Sequence, residues 1–306
     1  MKNVRIIVAA AMMLFSASAV MASGQGASSG PLTGSYPVVL SHGILGFDDS
    51  QSQPWLKYWG GMDEYLRSQG VAVLTPGSTA LSSVEQRASQ QKNLINQWMA
   101  AYGYNKVHIM GHSQGGLVSR YMVSNLGMSN KVRSVTTINT PHKGAPMADI
   151  ALGVIPNWLE PFVGTVINFF GGLIYSDNTQ DIIAMANSLT VSNATAFNQN
   201  TPNKSGVKYY SYGSYAYEDF IQHPIMSITL PITFIGGPFY GFSTYNDGVV
   251  PYGSQKWGTW KGRPKDYWFA TGLDHLQMTN FEWSGQNYFD VEGFYLKMAK
   301  NAMNNQ

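Results

Sequence analysis

The sequence predicts an α/β chain with a mostly parallel central sheet and helices on both faces. Two observations carry that expectation. Short, continuously apolar runs recur, as they do in strands buried on both faces. Helix-length segments of mixed polarity separate them, the alternation that builds a parallel sheet.

In chain order, Tyr36–Leu40 ("YPVVL") reads as a strand and Tyr58–Gln69 as a helix closed by Gly70. Val71–Leu74 is a strand, and Ser83–Ala101 a helix rich in Gln and Ala. Lys106–Met110 is a strand, Leu117–Asn125 a helix and Val132–Ile138 a strand. Further strands are expected at Val207–Tyr212 and Asp266–Ala270. No linker interrupts the chain after Ser35, so 36–306 reads as one domain.

Composition agrees with a folded chain of 306 residues: 44% hydrophobic, 12% charged, without internal repeats or a Rossmann glycine pattern. A formal net charge of +2 gives no reason to expect a nucleic-acid or acidic partner. The first 22 residues read as a signal peptide. Lys2 and Arg5 are the positive start, Ile6–Phe15 the apolar core, and Val20-Met21-Ala22 the small-residue cleavage pattern. The apolar run is short for a membrane span, and Ser23–Ser35 follows as a flexible, Ser/Gly-rich mature N-terminus. The expected destination is outside the cytoplasm, extracellular or periplasmic, with no transmembrane span in the mature chain. The chain has no Cys, so stability must come from a sizeable core or a metal.

"VHIMGHSQGGLVSRYM" places Gly111-His112-Ser113-Gln114-Gly115 between a strand and a helix. A serine on such a turn is held out at the carboxyl end of the sheet, and flanking glycines leave room for the close turn. The next N–H, of Gln114, lies at a helix N-terminus, where oriented donors favour an oxyanion. A serine hydroxyl is a weak nucleophile and needs a base, which needs an orienting acid. In this setting the chain order is Ser, acid, His. His142 comes too early for it, and His223 precedes the best acid. His275, in "GLDHLQM", is the expected base, and Asp247, in the turn "YNDGVVP", the expected acid, with Asp266 and Asp274 as competitors. Asp274 adjoins His275 in sequence, which makes a side-on contact with Nδ1 awkward. The loop after the first strand, "SHGILGFDD", offers the N–H of Ile44 as the second oxyanion donor. His42 and His112 read as scaffold.

"YPVVLSHGILGFD", "GHSQGG", "INTPHKGAP", "NSLTVSNATAFN", "NDGVVP" and "DHLQMTN" together resemble the secreted bacterial triacylglycerol lipases of the Pseudomonas, Burkholderia and Proteus type. The resemblance runs in order from Tyr36 to about Asn280. It implies an α/β-hydrolase fold, and a helical cap is expected around 150–200. It also implies Ser113, Asp247 and His275 as catalytic residues, with Ile44 and Gln114 at the oxyanion hole. The implied substrates are acylglycerols at an oil–water interface, and a secretion or folding helper is compatible with it. Esterase, phospholipase or acyltransferase activity on the same triad is the alternative, and a non-catalytic lipid-binding relative the second.

This chain departs from the family in three places. It lacks the disulfide of many members. Gly253–Lys265 looks like an added Trp/Lys-rich loop, whose Trp257 and Trp260 could cover the His275 loop. The family ties that loop with Ca²⁺ held by two aspartates and backbone carbonyls, yet Gln277 stands two residues after His275. No Asp or Glu lies between Asp219 and Asp247, where the other aspartate is expected. The expectation is therefore that no cofactor is required and no metal is bound. A calcium site rebuilt from Asp266, Asp274 or Glu282 is the alternative. Val154–Tyr175 is the most apolar internal stretch, and its place between nucleophile and acid suits a cap over an acyl site, with a buried core helix as the alternative.

Overall fold

The computed structural model describes residues 30–46, 57–153, 181–281 and 284–304. The expected signal peptide, most of the 23–35 segment, residues 154–180 of the expected cap and Glu282 lie outside the described residues.

Six strands form one sheet: β1 (Val38–Ser41), β2 (Val73–Leu74), β3 (Val107–His112), β4 (Val132–Ile138), β5 (Lys208–Tyr212) and β6 (Thr259–Trp260). Their order is β2-β1-β3-β4-β5-β6, and every neighbouring pair is parallel. The chain leaves β1 toward one edge and returns to β3 on its other side. Strand order therefore reverses between β1 and β3, and in open parallel sheets the crevice outside such strand ends is where ligands bind. Ser41 is paired with Gly111 at that end, so the loops after β1 and β3 emerge side by side.

Alternate side chains of the buried strands feed two cores. On one face, Val39, Val107, Ile109 and Val135 pack with α2 (Val84–Tyr102) and α3 (Gln114–Asn125). On the other, Val38, Leu40, Met110 and Ile138 pack with α1 (Met62–Ser68) and α8 (Val291–Met303). Truncating Trp98, fully buried on α2, should cost about 3–5 kcal/mol. Helix α2 starts where the sequence says it should, because Ser83 Oγ accepts the Gln86 N–H at 3.3 Å. It stops at Gly103, whose φ of 70° ends the helix in the left-handed region. Near the strand ends lie α4 (Pro146–Ala151), α5 (Ile182–Leu189), α6 (Val191–Asn200) and α7 (Leu230–Phe239). Helix α4 packs against the other three.

One expected strand is corrected. Asp266–Ala270 is not in the sheet; only Asp266 forms an isolated antiparallel bridge, to Phe289. Aromatics fit strands when one face is buried, and here none is. Trp268 is 94% exposed, and Tyr267 and Phe269 stack on each other at 5.7 Å in solvent. The sixth strand comes instead from the segment read as an added loop, where Thr259 and Trp260 pair with β5. Nor do its tryptophans cover the His275 loop. The Arg120 guanidinium lies 3.5 Å from the centre of the Trp257 ring, which also stacks on His142, and Trp260 meets Tyr252 edge-on.

Candidate active site

Ser113 stands between β3 and α3 with φ 55° and ψ −130°, a conformation L-residues rarely hold. The chain can turn this tightly because a Cβ at Gly111 would strike the Gly115 carbonyl, and one at Gly115 would strike the Ser41 carbonyl. Backbone passes where side chains would be. The N–H of Gln114 opens α3, where no preceding turn offers it a carbonyl. Across the crevice, the N–H of Leu45 donates to Ala80 and that of Gly46 to Gly43, whereas that of Ile44 has no partner among the described residues.

Asp247 and His275 meet as the sequence expects. His275 Nδ1 donates to Asp247 Oδ2 at 2.8 Å, and the His275 N–H donates to the Asp247 carbonyl at 2.8 Å. Asp247 is fully buried. Its Oδ1 accepts from the N–H groups of Val249 and Val250 at 2.9 and 2.7 Å. Its Oδ2 also accepts from Asn139 Nδ2 at 2.7 Å and Gln255 Nε2 at 3.1 Å. The carboxylate is thus held through both of its oxygens.

The competitors are engaged elsewhere. His223 Nδ1 is 3.1 Å from Asp274 Oδ2, a second buried pair, and Asp266 pairs with Arg263. His142 is buried between Arg120 and Thr137, and desolvation, then the nearby Arg120 charge, hold it well below the usual histidine range. Burial, reinforced by Arg87, pushes His42 down to about 3. His112 is likewise held well down, by burial and then by His275. These three histidines are framework.

Framework does not mean idle. His112 Nε2 donates to the His275 carbonyl at 3.0 Å, which leaves Nδ1 to accept from the Tyr58 hydroxyl at 2.7 Å. The Tyr58 oxygen in turn accepts the Gly43 N–H at 2.8 Å. A continuous chain of hydrogen bonds therefore links the loop after β1 to the main chain of His275 by way of His112, the residue before Ser113. The rings of His112 and His275 are 4.6 Å apart.

Sequence reasoning missed Arg87. It is fully buried on α2 and faces no carboxylate among the described residues. Its Nη2 donates to the carbonyls of His42 and Gly43 at 2.8 and 2.7 Å, and its Nη1 to the side chain of Gln114. One guanidinium thereby spans the two loops that carry the Ile44 and Gln114 N–H groups. Burial lowers it only to about 10, so it stays charged at neutral pH. The signal was present: Val84, Arg87, Ala88, Gln91 and Ile95 form the buried stripe of α2, and a charge on such a stripe calls for a reason. Asn139 and Gln255, which steady Asp247, had no comparable signal.

We predict that Arg87→Met lowers kcat about 10- to 100-fold on a soluble ester with little change in KM, since the spacing of the two N–H groups loosens. Arg87→Lys should not restore it, because one ammonium lacks the fork that spans both loops. Steady-state kinetics on both variants check this; full activity in Arg87→Lys would remove the bridging argument.

Ser113 is only 4% exposed and opens into a cavity of about 330 Å³. Ile44 lines it, with Met147 and Leu152 around α4, Ile182, Ile183 and Met185 from α5, and Val249 and Val250 from the acid loop. Among the described residues, every lining side chain apart from Ser113 is apolar. No helix among the described residues is long and apolar enough to cross a membrane.

The chain is similar to known proteins. The family model for the alpha/beta hydrolase fold matches residues 36–273. The chain is 36% identical over 176 residues to a triacylglycerol lipase of Pseudarthrobacter phenanthrenivorans, a match of 55% of this chain and 54% of that protein, so it spans about half the length of that relative. It is 31% identical over 237 residues to a triacylglycerol lipase of Vibrio cholerae, covering 69% of this chain and 73% of the relative. The crystal structure of Staphylococcus hyicus lipase superposes with a TM-score of 0.64 at 20% identity, over 92% of this chain and 98% of that one, which speaks to the fold. The chain belongs to the α/β-hydrolase fold family, among the relatives of the bacterial triacylglycerol lipases.

Proposed function

We propose that this chain is an exported lipase that hydrolyses acylglycerol esters through an acyl-enzyme. One observation carries the reading: a buried Asp247–His275 pair, its imidazole 4.6 Å from the ring of His112, comes to the turn where the strained Ser113 opens into an apolar cavity. Ser113 Oγ attacks the ester carbonyl, and His275 Nε2 takes its proton. The N–H groups of Ile44 and Gln114 bind the oxyanion. As the tetrahedral species collapses, His275 returns the proton to the departing alcohol. Water, deprotonated by the same imidazole, then frees the acid and the serine. Asp247 keeps the imidazole proton on Nδ1, so that Nε2 can act as base. The acyl chain takes the apolar cavity, and the substrate reaches it from a lipid surface. Residues 1–22 direct export, and no cofactor enters the chemistry.

Labelling by a fluorophosphonate tests the nucleophile. A single adduct on Ser113 is expected, and its absence from the folded protein would refute the mechanism. Substrate class is tested by chain length. Activity on a long-chain ester should rise as it passes its solubility limit, whereas a short-chain esterase would favour the soluble ester throughout.

Ile183, 67% exposed and lining the cavity, provides the mutational arm. Ile183→Asp should weaken hydrolysis of an emulsion more than that of a soluble short ester, because a carboxylate is costly to desolvate at an acyl-facing surface. Equal loss on both substrates would separate this surface from lipid engagement.

A further inference from the structure

Behind His275, three segments of chain meet: 219–224, 271–277 and 284–287. Gln277 joins them. Its side chain is buried, and both hydrogens of Nε2 are donated, one to the Gln222 carbonyl at 2.7 Å and one to the Gln286 carbonyl at 3.2 Å. Its Oε1 accepts the Asp274 N–H at 3.1 Å. Every bonding position of the amide except one oxygen lone pair is in use. Gly285 lets the third segment close in, since a Cβ there would meet the Gln222 carbonyl at 2.5 Å. Beside it, Asp274 Oδ1 accepts the N–H groups of Leu276 and Gln277, both at 2.8 Å, and Oδ2 faces His223 Nδ1 at 3.1 Å. His223 Nε2 reaches Thr271 Oγ1 at 3.0 Å, so the pair is tied to the strand of chain that leads into His275.

The resemblance to calcium-binding lipases puts an ion in this region, and the donor set does not fit one. Calcium needs six to eight oxygens, usually with more than one carboxylate. Here an amide nitrogen points at the carbonyls of Gln222 and Gln286, the Asp274 carboxylate is engaged by His223 and two N–H groups, and that of Asp219 accepts the N–H groups of Ile221 and Gln222 and the Gln222 side chain. Asp266 is paired with Arg263. Among the described residues no three His, Cys, Asp or Glu side chains gather as metal ligands.

We propose that Gln277, with the His223–Asp274 pair, is a metal-free clasp that positions the His275 loop for catalysis. A neutral amide performs by donation what a cation would perform by coordination: it gathers carbonyl oxygens from two loops onto the residue two places after the base. The residue before the base is gripped by His223, and the His275 main chain itself by Asp247 and His112. The catalytic half of the proposal rests on the reading of His275 as the base; the metal-free half does not.

The test uses the purified full-length mature protein. Its melting temperature is measured in chelator and in millimolar calcium, and kcat on a soluble short ester is expressed per fluorophosphonate-titrated site for wild type, Gln277→Met and His223→Gln. The wild-type melting temperature should agree within about 1 °C in the two media, where a metal-held loop would shift clearly. Gln277→Met keeps the length and loses every bond. It should melt about 5 °C lower or more, and kcat per titrated site should fall roughly 10- to 100-fold with KM unchanged and no rescue by calcium. A purely structural clasp would lower the melting temperature and leave kcat per titrated site intact, which overturns the positioning role. A calcium-dependent rise in the wild-type melting temperature overturns the metal-free clasp. Should Gln277→Met fail to fold, His223→Gln carries the kinetic arm: a fall in kcat supports the role and wild-type kcat overturns it. Failure of fluorophosphonate to label wild-type Ser113 would sink the hydrolase reading and the catalytic half with it, while the melting comparison still decides the metal-free half.

Discussion

Ser113→Ala is expected to lower ester hydrolysis by about 10⁵–10⁶-fold while the protein stays folded. On the proposed mechanism the loss is this large because nucleophile, base and acid act as a unit. What remains is binding and the two N–H groups of Ile44 and Gln114, which can still polarise a carbonyl but have no covalent step to assist. The fold should survive for local reasons. Alanine carries the same Cβ, so the φ of 55° at the turn is no more strained than before. The close passage of Gly111, Gly115 and Ser41 is untouched. Among the described residues no hydrogen bond holds the Ser113 hydroxyl, so none is broken. Hydrolysis of a soluble ester, measured beside the melting temperature, checks both halves. Near-wild-type turnover by a folded Ser113→Ala protein would end the triad assignment.

The parts of this site that could be read from sequence are those set by local chain geometry. Val132–Ile138 is a strand with the bounds its β-branched sequence implies, and Ser83 caps α2 three residues before Gln86, whose N–H it accepts. The strand–serine–helix junction around Ser113 is local in the same sense. Asp247 and His275 were legible because chain order and turn chemistry narrowed the choice to a few residues. What stayed hidden was how polar groups meet across the chain. Asn139 reaches Asp247 from 108 positions away, and Arg87 reaches His42 from 45. Periodicity says that Arg87 faces inward; it does not say that two loops wait there. The edge strand failed differently. At two residues, Thr259–Trp260 is too short to show a pattern, and the aromatic run of Asp266–Ala270 carries strand propensity on a surface with nothing to cover it.

The second large effect separates two acids that the sequence left in competition. Asp247→Asn should lower kcat by about 10⁴-fold, whereas Asp274→Asn should lower it far less and act mainly on the melting temperature. In Asp247 the Oδ1 position accepts two backbone N–H groups, from Val249 and Val250, and those donors cannot turn away. An asparagine there must place its carbonyl oxygen at that position, which drives its NH₂ to the side of His275. The imidazole can then meet it only by accepting at Nδ1. Its proton moves to Nε2, and on the proposed mechanism the base is lost. The same NH₂ also confronts the donors of Asn139 and Gln255, so the acid loop is destabilised as well. Asp274 has the same arrangement of two backbone donors on Oδ1, yet its partner is more forgiving. When the substituted NH₂ faces His223 Nδ1, that ring can shift its proton to Nε2 and donate to Thr271 Oγ1, a hydroxyl that accepts as readily as it donates. His223 has a hydroxyl to absorb the change of tautomer, whereas His275, as the proposed base, cannot give up the Nε2 lone pair. Kinetics of the two variants on one soluble ester, at a temperature where both are folded, rank them; a larger loss in Asp274→Asn would transfer the acid's role from Asp247.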